Sequence, residues 1–86
     1  MPRRPTNRAL AESLGQRLRN ARLAAGLSQE RLAELASINR TYVGDIEHGR
    51  VSITVDMLLS VTRALGTTMA TLVEGLDRNT ASKTRR

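Results

Sequence analysis

The stretch Gln29 to His48, QERLAELASINRTYVGDIEH, decides the fold of this 86-residue chain. Ser28, just ahead of it, is a good N-cap, and Leu32, Ala33, Leu35 and Ala36 follow at the spacing of one helical face. Ser37, Ile38 and Asn39 then break the pattern, and Asn39 caps a second helix running from Arg40 to His48. Val43 and Ile46 sit three apart and point inward on that helix, which leaves Arg40, Thr41, Tyr42, Gly44 and Asp45 on or near its outer side. Two short helices joined by a three-residue turn make a helix-turn-helix motif. The small Ala33 suits the point where the two helices cross, and Ile38 plugs the turn into the core.

Working outward, Leu10, Leu14, Leu18, Ala21 and Ala25 form one stripe of a first helix that begins near Ala9 and stops at Gly26. On the other side, Gly49 ends the second helix of the motif, and Arg50 to Ser52 make a loop. Thr54 caps a fourth helix, with Asp56 at its positive end and Val55, Leu58, Leu59, Val61, Thr62 and Leu65 on its apolar side, and Gly66 closes it. Thr68 caps a last short helix bearing Met69, Leu72, Val73 and Leu76. The expected architecture is therefore all-α, with five helices and no strand. Residues 1–8 are expected as a disordered basic arm, 9–77 as the domain and 78–86 as a disordered basic tail.

Composition narrows the function. The net charge is +6, but residues 1–11 hold three arginines, residues 78–86 hold four basic residues, and residues 12–77 set seven arginines against eight acids. The globular part is thus nearly neutral, and the basic ends are what can add non-specific, salt-dependent affinity for nucleic acid. With no Cys there is neither a disulfide framework nor a thiolate metal site, which fits a reducing cytoplasm. A single His gives no zinc site either. No apolar run exceeds three residues, which excludes a membrane span or a secretory signal. One Tyr and no Phe or Trp leave little to stack on single-stranded bases. Nothing in the chain supplies a catalytic triad, a paired-carboxylate cleft or a Gly-rich phosphate loop after a strand, so no enzyme, cofactor or small-molecule ligand is expected.

The segments LSQERLA, RTYVGDIEHG and ITVDMLLSVTRALGTTMATLVEGL follow, in that order, the pattern of the Cro/Xre-type repressors. The resemblance spans about Leu14 to Leu76 and implies a compact phage-repressor-like domain that binds DNA. Among its members, the small stand-alone repressors and the controller proteins of restriction-modification systems are similar to this chain in build. Many members have Gly where Ser37 stands, because the turn there takes a left-handed conformation. The resemblance further implies that Gln29 touches the DNA backbone, and that Arg22 and Glu47 pair inside the domain; two solvated charges are the plainer reading of that couple.

The geometry of a recognition helix assigns the remaining roles. Its first turn enters the major groove, while the preceding helix crosses the backbone. Arg40 is placed to bond both O6 and N7 of a guanine, and Thr41 to meet a thymine methyl or a base edge. Asp45 either accepts from a cytosine amino group or orients Arg40 or Thr41. Ser28 and Gln29, at a helix N-terminus, and Tyr42 and Arg50, at the edges of the groove, are the phosphate candidates. Ser28 and Gln29 also serve as plain capping residues. Met69, Leu72, Val73 and Leu76 are expected as a homodimer surface, with some of them facing the core, so that two copies read an inverted-repeat operator in double-stranded DNA. The alternative is an antitoxin-like interaction module that grips a partner protein as well as DNA.

Overall fold

The chain folds into helices held by caps that are visible in the sequence. The computed structural model describes residues 4–81, with side chains through residue 78. In order, the elements are α1 (Arg8–Ala24), α2 (Gln29–Ala36), α3 (Arg40–Glu47), α4 (Val55–Leu65), α5 (Met69–Val73) and α6 (Leu76–Ala81). Among the described residues there is no strand. The side chains of Asn7, Ser28, Asn39, Thr54 and Thr68 each accept a hydrogen bond from a backbone N–H of the helix that follows. Each cap satisfies one of the donors that the first helical turn would otherwise leave without a partner.

The helix ends follow one design with one exception. After α1, α3 and α4 the left-handed position is taken by Gly26, Gly49 and Gly66. After α2, inside the helix-turn-helix, it is taken by Ser37 at φ 58 and ψ 44. The Ile38 N–H donates to the Ala33 carbonyl at 2.9 Å, closing the turn as a Schellman motif. A left-handed conformation costs a residue with a Cβ about 1 kcal/mol, a cost that glycine does not meet.

Leu18, Leu32, Ala33, Ala36, Val43, Ile46, Val61 and Leu72 make the buried core, and Ile38, Leu14 and Leu58 pack against it. Gly15 has the tightest neighbours in α1: a Cβ there would collide with the carbonyls of Ile46 and Glu47 at the end of α3. Without a side chain at Gly15, α1 lies directly on the last turn of α3.

The last helical run differs from expectation. It divides, because Glu74 leaves the helical region at φ −57 and ψ 127 and Gly75 follows at φ 70. Arg17 Nη1 donates to the carbonyls of Leu72 at 3.0 Å and Glu74 at 2.6 Å, tying the end of α5 to α1. Beyond the break Leu76 opens α6, which packs against α1, so Leu72 and Leu76 are both buried and belong to the core. Of the four residues expected at a dimer surface with some facing the core, Leu72 and Leu76 are the ones that face it: the turn at Glu74 and Gly75 changes the phase of the helix, and the spacing no longer puts the four residues on one face. Val73 remains exposed at 36% and Met69 half-buried. Helix continues past Arg78 to Ala81, where a tail was expected, and α1 starts at Arg8 instead of Ala9. The expectations for residues 1–3 and 82–86 lie outside the described residues.

Candidate nucleic-acid interface

The outer side of α3 presents the residues that the sequence singled out for base reading. Asn39 Oδ1 accepts the Thr41 N–H at 2.7 Å, which fixes the start of the helix. From that fixed start Arg40 and Thr41 project into solvent. Gly44, one turn on, faces open space, since a Cβ built there meets nothing within 4 Å. Thr41 and Asp45 line an open groove of about 580 Å³ together with Ser37, Asn39, Tyr42 and Thr54. Polar groups at the lip of a convex helix are the arrangement that major-groove reading needs.

Each charged group on this side carries a partner of opposite sign. Arg40 Nε lies 3.3 Å from Glu30 Oε2 on α2, with both side chains more than half exposed. Arg50 Nη1 donates to Asp45 Oδ1 at 3.2 Å, with the two side chains 61% and 30% exposed. Asp45 is thus brought together with Arg50, and the structure records no bond from it to Arg40 or Thr41. Tyr42 is half-buried against the core, and burial pushes its phenol above the ordinary value of 10.0.

The inner side of α3 carries a different kind of pair. Arg22 Nε donates to Glu47 Oε2 at 2.7 Å and Arg22 Nη2 to Glu47 Oε1 at 3.2 Å, with the side chains only 7% and 2% exposed. Arg22 Nη1 also donates to the Leu27 carbonyl at 2.8 Å, and Gln29 Nε2 donates to Glu47 Oε1 at 3.1 Å. One carboxylate thereby joins the end of α1, the start of α2 and the end of α3. A fork-to-fork guanidinium–carboxylate contact fixes orientation as well as distance. Gln29 uses one of its two amide hydrogens on Glu47. Ser28 Oγ accepts the Arg31 N–H at 3.0 Å, so its cap is occupied.

His48 folds back on its own helix, with Nδ1 2.8 Å from the Gly44 carbonyl. Among the described residues no group of three or more His, Cys, Asp or Glu side chains is arranged to hold a metal ion. No described helix is long and apolar enough to cross a membrane. Three contributors were not singled out from the sequence: Glu30, Gly15 and Arg17. Gly15 could have been found as a glycine inside an otherwise regular helical stripe. The partners of Glu30 and Arg17 depend on packing between helices, which no local pattern states.

Residues 13–76 match the model of a family described as helix-turn-helix domain. The chain belongs to the helix-turn-helix family, of the Cro/Xre type. Control protein C.SmaI of Serratia marcescens is 34% identical to it over 64 residues, which is 74% of this chain and 76% of that protein. The crystal structure of the restriction-modification controller protein C.AhdI from Aeromonas hydrophila superposes with a TM-score of 0.71 at 40% identity, covering 72% of this chain and 94% of that one. The controller protein C.Esp1396I, solved as a tetramer in complex with its natural 35 base-pair operator, matches with a TM-score of 0.72 at 25% identity, over 84% of this chain and 95% of that one. This helix-turn-helix protein is a DNA-binding transcriptional regulator, and these relatives are regulators, not enzymes.

Proposed function

We propose that the protein binds an inverted-repeat operator in double-stranded DNA as a homodimer, with α3 of each copy in the major groove, and that it regulates transcription in the manner of the controller proteins it resembles. The observation that carries this reading is the capped, rigidly mounted α3 with Arg40 and Thr41 free of the core. Arg40 exchanges Glu30 for the O6 and N7 of a guanine, and Thr41 meets a neighbouring base edge. Asp45 acts chiefly through Arg50, which it holds at the edge of the groove until a phosphate takes the guanidinium. Gln29, Ser28 at the start of α2, and Tyr42 add backbone contacts that set the register. No cofactor and no catalytic role enter, and the protein works in the cytoplasm.

The controller C.Esp1396I is a tetramer on its operator, which supports self-association on DNA as the mode for this chain. Met69 and Val73 are what remains of the expected dimer surface once Leu72 and Leu76 are assigned to the core. Val73→Glu should give a folded monomer with weakened operator binding; sedimentation identical to the wild type would remove Val73 from the interface.

Selection of bound sequences from random duplex DNA tests the whole reading. The wild type should enrich a palindrome, and Arg40→Ala should lose a guanine preference within it. Failure of the wild type to enrich any duplex would overturn the proposal and shift attention to a protein partner.

A further inference from the structure

The arm ahead of α1 is not independent of the recognition helix. The first turn of α1 is fixed by Asn7, whose Oδ1 accepts the Leu10 N–H at 2.9 Å. It is pressed against the end of α3: a Cβ on Gly49 would lie 2.5 Å from Glu12 Cγ and 2.7 Å from Glu12 Cα. This close approach brings Arg4 and Arg8 to Arg50, which is more than forty positions away in the chain. Together with Pro5 and Gly49 the three arginines line a cleft of about 450 Å³.

The charges in this cleft are lightly held. Arg8 Nε lies 3.2 Å from Glu12 Oε2 with the side chains 80% and 53% exposed, and Arg50 uses one nitrogen on Asp45. Exposed pairs of this kind contribute little to stability, so exchanging them for a phosphate costs little. Each guanidinium has five N–H donors, and the two pairs engage one nitrogen apiece. Arg4 has no acidic partner among the described residues. Three guanidiniums around one opening stand out on a body whose residues 12–77 hold seven arginines and eight acids.

Arg50 belongs both to the wall of the cleft and, through Asp45, to the outer side of α3, so the cleft adjoins the surface proposed to face the groove. We infer that the Arg4–Arg8–Arg50 cleft is a second backbone site, which takes a duplex phosphate outside the base pairs that α3 reads. The inference rests on the DNA-binding reading above and extends its footprint.

The test uses the full chain carrying Arg4→Gln with Arg8→Gln. Binding to a duplex of the selected operator and to a scrambled duplex is measured over a series of salt concentrations. For every phosphate that the variant no longer neutralises, the plot of log affinity against log salt should flatten by about 0.9 per protomer. The double variant should bind both duplexes more weakly by the same factor, keep the wild-type sequence preference and keep the wild-type melting temperature. A control with Arg19→Gln and Arg63→Gln removes equal charge at exposed sites outside the cleft and should flatten the slope less. An unchanged slope in the cleft variant, or an equal change in the control, would overturn the inference. A wild type that binds neither duplex would instead overturn the DNA-binding reading itself, so the two failures are distinguishable.

Discussion

The two sides of α3 each carry an arginine–carboxylate pair, one buried and one exposed, and put them to opposite uses. On the inner side the Arg22–Glu47 pair is nearly sealed, at 7% and 2% exposure, and shares its carboxylate with Gln29. On the outer side, two residues earlier, the Asp45–Arg50 pair is open at 30% and 61% exposure and is joined by one nitrogen. A buried pair is costly to break because removing one partner strands the other charge away from water. An exposed pair is nearly free to break because water replaces the missing partner. The helix is thus locked from beneath and exchangeable from above. That difference is what a reading helix requires: its orientation stays fixed while its charged tips change partners.

The difference can be broken most severely from the inside. Glu47→Gln should cost about 3 to 5 kcal/mol, because Arg22 then lies buried opposite a neutral group. Urea unfolding checks this, and a midpoint equal to that of the wild type would show that the pair does not lock the helix. Arg40→Ala acts on the outer side alone. It should leave the urea midpoint nearly unchanged while weakening binding to the preferred duplex by about 1 to 3 kcal/mol, seen as loss of discrimination at one guanine in competition binding. Ser37→Gly, in the turn between the two recognition elements, should stabilise the domain by about 1 kcal/mol, since φ 58 already demands what glycine supplies. A lowered melting temperature would contradict a left-handed turn there. The smallest effect belongs to Asp45→Asn, with less than about 1 kcal/mol of stability at stake, and it isolates the outer pair from the inner one.

Much of this was legible from local chemistry. Ser28, Asn39, Thr54 and Thr68 announce helix starts, and Gly26, Gly49 and Gly66 announce stops, because a cap needs only its own neighbours in the chain. The outward row of Arg40, Thr41 and Asp45 followed from the inward positions of Val43 and Ile46. What stayed hidden depends on packing between elements. Leu72 and Leu76 could not be separated from Met69 and Val73 until the turn at Glu74 and Gly75 changed the helical phase. Glu30 and Arg50 could not be matched to Arg40 and Asp45 without knowing how α2 and the α3–α4 loop lie. The close approach of α1 at Gly15 and Gly49, which gathers Arg4 and Arg8 beside Arg50, is likewise a property of packing.

The locked-and-exchangeable arrangement of α3 is tested most directly by following the arginine side-chain Nε–H signals in a nuclear magnetic resonance titration with the selected duplex. Arg22 Nε–H, bonded to Glu47, should be slow to exchange with solvent and should keep its position throughout. The Nε–H signals of Arg40 and Arg50 should exchange rapidly in the free protein and shift as duplex is added. Movement of the Arg22 signal together with stationary Arg40 and Arg50 signals would contradict the division of labour between the two sides of the helix.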